Sequence, residues 1–362
     1  MSSLYRLNCF KFHTKWKPPS NYQFAPLQMI FTVKSDLRRK ARLVVGGHVV
    51  DSGDLPTYAS TVKGMSVRLL FLIAAINKLD VLSADIGNAF VNAYTSEKIY
   101  TRAGPEFGEH VGKLVEIIKA LYGLKTSARQ FHAHLADSLR SLGFKSTRFN
   151  PDVWYRDRGD GTGYDYICTH VDDLLVFAKD PKQYIDVLSE KYTLRDVKRP
   201  DYYLGNSFTN NGEHWYSSAG TYLKEAIARI EAKFGTLRTY HTPLETRDHP
   251  EEDDSPLLDD EGTRSYQMLL GMAQWLVVIN RLDICFAVSS LSRFSCGPRE
   301  GHLKRAFRVW GYLKQHRGRR IQINPRSPIC DPKLVPIEAD FIDQYPDAEE
   351  EIDPCFPAPC GS

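Results

Sequence analysis

Residues Tyr164 to Lys179 read YDYICTHVDDLLVFAK: an apolar run, two adjacent carboxylates, then a second apolar run. The pattern predicts a hairpin of two core strands with Asp172 and Asp173 at its tip. Neighbouring residues of a regular strand point to opposite faces, so only a tight turn brings both carboxylates to one place. Carboxylates are almost never buried without a compensating charge. A third, Asp85, stands alone in the apolar stretch LSADIGNAF. Strand-borne carboxylates that converge on hard cations are the donor set of two-metal phosphoryl chemistry. The plainer reading is a polar hairpin turn, since Asp favours turns. Asp85, in its own apolar setting, weighs against it.

A formal net charge of +3 over 362 residues names no partner. Its distribution says more. Lys34, Arg38, Arg39, Lys40 and Arg42 form one basic group, and Arg299, Lys304, Arg305, Arg308, Lys314, Arg317, Arg319 and Arg320 another, while acids crowd between Asp248 and Glu261. The basic groups suit the walls of a polyanion channel or, equally, solvated helix faces. Cys9, Cys168, Cys285, Cys296, Cys330, Cys355 and Cys360 are scattered and odd in number, which predicts reduced thiols in an intracellular compartment. No signal peptide or membrane span is visible. The most apolar run, Val67 to Ile76, carries Arg68, is followed by Lys78 and is too short to span. It predicts a buried helix, ending near Asn77 with Ser66 as cap.

Residues 1–28 show no clean period. From Met29 to Val50 two β-rich runs flank a charged turn at Lys34, Ser35 and Asp36, with Gly46 and Gly47 closing the second strand. Ala128, Phe131, Leu135, Leu139 and Leu142 recur at helical spacing, capped by Ser127 and stopped at Gly143. A short helix near Tyr184 to Tyr192, a hairpin from YYLGNSF to HWYSS, and a helix through Leu223, Ile227, Ile230 and Phe234 ending at Gly235 follow. His241 to Gly262 is acidic and proline-bearing and reads as a linker. Three apolar stripes at helical spacing come next: Tyr266 to Val277, Ile284 to Phe294, and Leu303 to Leu313. A proline-rich acidic tail begins at Asn324.

ADIGNAF, ALYGLK, HVDD before an apolar run, YYLG and the later LSRF and HLKRAFRVWGYLK occur in an order and spacing that resemble the reverse transcriptase of copia-type LTR retrotransposons, with KARLVVGGHVV similar to its fingers motif. The likeness runs from about Met29 to His316. It implies an α+β right-hand polymerase: fingers, a palm with an antiparallel sheet, and a helical thumb or connection region. The implied organisation is an approach to the fingers (1–28), fingers and palm with the start of the thumb (29–243), an acidic linker (244–262), a helical region (263–323) and a tail (324–362) without RNase H. Asp85, Asp172 and Asp173 would then hold two Mg2+ ions, or Mn2+ in their place, with Asp85 and Asp172 bridging both and Asp173 the weaker ligand. The backbone after Asp85, Ile86 included, would hold the triphosphate. Phe90 falls where a steric gate excludes a ribose 2′-OH, and its plainer reading is a core aromatic. Lys40 and Arg42, on one face of a strand by alternation, resemble the cations that grip the triphosphate. Tyr122, Gly123 and Lys125 resemble the nucleotide-pocket segment, and Tyr203, Leu204 and Gly205 the hairpin that holds the primer end. The chain departs from the family pattern with His170 in place of Tyr, and with Gly46 and Gly47 where many relatives carry an arginine and one glycine.

The expected function is therefore RNA-directed DNA synthesis on an RNA or DNA template with primer, from deoxynucleoside triphosphates, without a membrane. Cytoplasmic virus-like particles are the setting the resemblance implies, and oligomeric state is not legible. One rival is a catalytically inactive nucleic-acid-binding relic of a retrotransposon. Another is a two-metal nuclease, which needs the same carboxylates but has no use for Phe90 or the primer hairpin.

Overall fold

The predicted hairpin forms the centre of a six-stranded antiparallel sheet. Strands β10 (Tyr164–His170) and β11 (Asp173–Ala178) pair from Tyr166↔Phe177 to His170↔Asp173. On the far side of β11 lie β5 (Asp80–Ile86) and β12 (Leu194–Lys198), and beyond β10 lie β9 (Val153–Asp157) and β8 (Lys145–Ser146). Both faces of β11 are covered, which is why its sequence is continuously apolar rather than alternating. Leu174, Val176 and Ala178 pack with α3 (Ser127–Ser141) and α4 (Pro181–Lys191). Leu175 and Phe177 pack on the other side with Phe71 of α2 (Gly64–Asn77). The structure, a computed structural model, describes residues 1–33 and 37–326. The expected turn at Lys34–Asp36, nearly all of the tail and Cys330, Cys355 and Cys360 lie outside the described residues.

The hairpin expected after Met29 consists of β3 (Leu27–Val33) and β4 (Arg39–Val45), paired from Leu27↔Val45 to Val33↔Arg39. The first 28 residues, which show no period, hold α1 (Ser2–Arg6), β1 (Phe10–His13) and β2 (Gln23–Phe24). These strands flank β6 (Tyr94–Arg102) and β7 (Leu114–Lys119) in the order β1-β7-β6-β2. Their partners lie far along the chain, as in Phe10↔Ile117, so no local pattern marks them. The β3–β4 hairpin is clamped to the palm by two glycines. The amide of Val45 donates to the carbonyl of Tyr122 at 2.8 Å. A Cβ on Gly47 would lie 2.0 Å from the carbonyl oxygen of Gly123, and one on Gly123 would lie 2.0 Å from that of Val45. The second of the paired glycines, Gly47, is thus what lets two backbones touch.

Past the palm, β13 (Tyr202–Tyr203), β14 (Asn206–Asn210), β15 (Trp215–Ser218) and β16 (Ile321–Ile323) form a small sheet against α2. Helices α5 (Gly220–Phe234), α6 (Asp260–Ile279), α7 (Cys285–Ser292) and α8 (Glu300–Gln315) bury the expected stripes around Tyr266, Leu269, Leu291 and Trp310. Among the described residues no helix is long and apolar enough to cross a membrane.

Three local expectations are corrected. Ser66 lies inside α2, not at its cap, and its hydroxyl accepts from the Asn150 amide at 2.8 Å. Ser127 is the first helical residue rather than the cap, and donates to the Leu121 carbonyl at 2.6 Å. The acidic segment is no solvated spacer. It lies on α8, where Asp248 and Asp253 pair with Arg305, and Glu245 with Arg308. Two charge blocks that look independent in sequence neutralise one another, so part of the second basic group is spent inside the fold.

Gly123→Ala is expected to destabilise the protein by about 2 kcal/mol or more, because the new methyl meets a carbonyl and φ at this position is +95°. Denaturant unfolding measures it; an unchanged midpoint contradicts the clamp.

Candidate active site

The turn between β10 and β11 is Val171–Asp172. Val171 has φ +58°, a rare conformation for a β-branched residue. Asp173 opens β11, and its Cα partner across the sheet is Asp85. Directly opposed residues of an antiparallel pair project to the same face, so these two carboxylates share one side. The amide of Ile86 donates to the carbonyl of Asp172 at 2.8 Å, tying the turn to the end of β5.

The crowding of these groups shapes their electrostatics. The Asp173 carboxyl is pushed up to about 6, first by burial, then by repulsion from Asp172 and Asp85. Its surface is solvent-exposed, yet the surrounding protein displaces enough water to favour the neutral form. Asp85 is raised by burial and by Asp172, with Arg195 and Lys40 pulling the other way. Among the described residues no three His, Cys, Asp or Glu side chains form a ready-made ion cage. The carboxylates are within electrostatic reach of one another without closing a coordination shell.

An open cleft of ≈ 160 Å³ is lined among others by Lys40, Arg42, Asp85, Ile86, Tyr122, Asp172 and Arg195, whereas Asp173 lies beside it and does not line it. Cations from β4 thus face acids from β5 and the turn. The Arg42 guanidinium lies 5.7 Å from the centre of the Tyr122 ring. Phe90 does not line the cleft directly; its ring packs 4.8 Å from Tyr122 and 6.2 Å from Phe131. Gly123 is used in the backbone clamp. The Lys125 ammonium donates to the Val50 carbonyl at 3.0 Å, so it props a loop rather than reaching the cleft.

Tyr203 is placed differently from the expected primer contact. Alternation along β13 leaves Tyr202 outside and Tyr203 4% exposed, and the Tyr203 hydroxyl donates to the Asp173 carbonyl at 3.4 Å. Its side chain supports the carboxylate turn from below. Leu204 (φ +47°) and Gly205 (φ +82°) make the tight turn, and a Cβ on Gly205 would touch Ile279 of α6 at 3.1 Å.

The sequence reading missed Arg195. It is the β12 partner of Asp85, and an added Cβ on Gly87 would lie 2.9 Å from its Nε. A cation in a short strand that also holds Asp196 and Lys198 gives no local signal; only the pairing of β12 with β5 brings it here.

A family model described as reverse transcriptase (RNA-dependent DNA polymerase) matches residues 10–245. The chain belongs to this family. It is 32% identical over 238 residues to the transposon Ty5-1 protein of Saccharomyces cerevisiae, covering 63% of this chain and 74% of that one. It is 27% identical over 314 residues to the retrovirus-related Pol polyprotein from transposon RE1 of Arabidopsis thaliana, covering 82% of this chain. It spans 20% of the length of that polyprotein. Among solved structures it matches a foamy viral protease-reverse transcriptase in complex with double-stranded DNA, with a TM-score of 0.42, 15% identity, and coverage of 85% of this chain and 46% of that one.

The raised Asp173 carboxyl has a consequence for stability. Below the ordinary value of 3.8 it is protonated in both folded and unfolded chains and contributes nothing. Between there and about 6 only the folded chain keeps the proton, and above that the fold carries the cost of an ionised, crowded carboxylate. Without divalent ions, Asp173→Asn is therefore expected to melt a few degrees above the parent at pH 8, with the gap closing towards pH 4. Melting curves that stay parallel across this range contradict the crowding.

Proposed function

We propose that the chain is the RNA-directed DNA polymerase unit of a retrotransposon Pol protein, extending a primer on an RNA or DNA template. The observation that carries this reading is that Asp85 and Asp172 share one cleft with Lys40 and Arg42, with Asp173 paired to Asp85 across the sheet. Like charges crowded enough to raise one another's proton affinity, with hard oxygen donors only, suit divalent magnesium. These three side chains would hold two such ions, which supply activation of the primer hydroxyl and neutralisation of the departing pyrophosphate.

The chain's own residues do the rest by position. Lys40 and Arg42 reach from the β4 face to the triphosphate, and the Tyr122 ring steadies Arg42. The backbone around Ile86 and Gly87 lines the same cleft and supplies its floor. Phe90 backs Tyr122, so the pair limits the space for the sugar and discriminates against a 2′-OH. The Leu204–Gly205 turn, against Ile279 of α6 and next to Tyr203 that bonds the Asp173 carbonyl, would hold the primer end. Contacts to duplex are expected at phosphate and sugar, because a replicating enzyme is indifferent to sequence.

Extension of a DNA primer on an RNA template with magnesium tests the reading. The protein should extend it, and Asp172→Asn should lower the rate at least about 100-fold. Extension that survives the substitution defeats the site assignment, binding without extension in either protein favours an inactive relic, and template degradation without synthesis favours a nuclease. In the same assay Phe90→Val should raise ribonucleotide incorporation relative to deoxynucleotide by about tenfold or more, and an unchanged ratio removes Phe90 from sugar selection.

A further inference from the structure

A buried histidine–carboxylate contact lies behind the carboxylate turn. Asp152, in the loop that leads into β9, has a side chain 1% exposed, and its Oδ1 lies 2.7 Å from Nε2 of His132 on α3. The same Oδ1 accepts from the Thr169 hydroxyl at 3.4 Å, and the Asp152 carbonyl accepts from the Thr169 amide at 3.0 Å. The Thr169 carbonyl in turn accepts from the Val62 amide at 3.1 Å. Ser60 Oγ also lies 3.5 Å from Nε2 of His132. Ser60, His132 and Asp152 are the residue types of a nucleophilic triad, but serine and carboxylate both approach the same ring nitrogen, so no proton relay runs through them.

We propose that His132 and Asp152 are positioning residues that fix the Val171–Asp172 turn for nucleotidyl transfer. The proposal rests on the polymerase reading and deepens it. Regular pairing of β9 with β10 ends at Val153↔Cys168, and that of β10 with β11 ends at His170↔Asp173. Beyond Val153↔Cys168 the end of β10 is held on the β9 side by Asp152, through backbone and side chain together. Val171, two residues beyond Thr169, lines a cavity of ≈ 20 Å³ with His132, Phe131 and Thr169, so the turn faces, across that cavity, the side of α3 that carries His132. A β-branched residue at φ +58° costs energy and persists only where its surroundings over-determine it. Asp152 Oδ2 and His132 Nδ1 are buried and find no partner among the described residues, which makes the pair a costly way to hold a fold and suits a role in holding one conformation.

Single-turnover primer extension on the full chain tests this, with burst amplitude reporting the active fraction and burst rate the chemistry. His132→Leu should slow the burst about tenfold, leaving its amplitude and the Kd for primer–template within about twofold. His132→Gln, which keeps a donor towards Asp152, should restore most of the rate. Because glycine adopts φ +58° freely, the cost of His132→Leu should shrink in a Val171→Gly background. Asp152→Asn should act as His132→Leu does; if it fails to fold, His132, whose side chain is 20% exposed, carries the test. A fallen amplitude at unchanged rate assigns the pair to fold maintenance and overturns the proposal. So does Gln as slow as Leu, equal cost in the Gly background, or an unaffected burst. Failure of the parent chain to extend any primer overturns the polymerase reading and this role with it, an outcome distinct from an active parent with an indifferent His132→Leu.

Discussion

The pairing of β11 with β5 is the contact on which the rest depends. It sets Asp173 opposite Asp85 across two strands whose residues are more than eighty positions apart in sequence, and the Ile86 amide then draws the Asp172 carbonyl to the same edge. The register is pinned by burial on both faces: Leu174 and Val176 on one side and Leu175 and Phe177 on the other leave no room for a shift by one residue. A sheet anchored so firmly tolerates an unfavourable group at its end. The crowded carboxylates are that group, and the raised proton affinity of Asp173 is the physical record of it.

The second requirement is that cations approach from a separate element. The Gly47–Gly123 clamp brings the β3–β4 hairpin against the palm, so that Lys40 and Arg42 overlook the acids. Arg195 reaches the same place from β12, over Gly87. Opposite charges thus come from four elements, β4, β5, the β10–β11 turn and β12, that the chain connects only at long range. The cleft sets an anionic side against a cationic one.

Much of this was legible in the sequence. Two carboxylates interrupting an apolar run marked the β10–β11 hairpin, the isolated Asp85 marked its partner, and the helical stripes of α3, α5, α6, α7 and α8 stand where their spacing put them. Alternation placed Lys40 and Arg42 on one face of β4. What escaped depended on contacts between distant segments or on where a side chain turns. β1 and β2 lack a period because β7 and β6 define them. Lys125 and Tyr203 carry family motifs, but one ammonium is committed to a carbonyl and one ring to the core. The acidic segment and α8 each looked solvated until the fold set Asp248 and Asp253 against Arg305.

The most direct test is anomalous diffraction from crystals grown with manganese. The ions should appear as a pair roughly 4 Å apart, coordinated by oxygens from both Asp85 and the Asp172–Asp173 turn. Manganese bound only elsewhere, or held by one of these segments without the other, would contradict the account at its root.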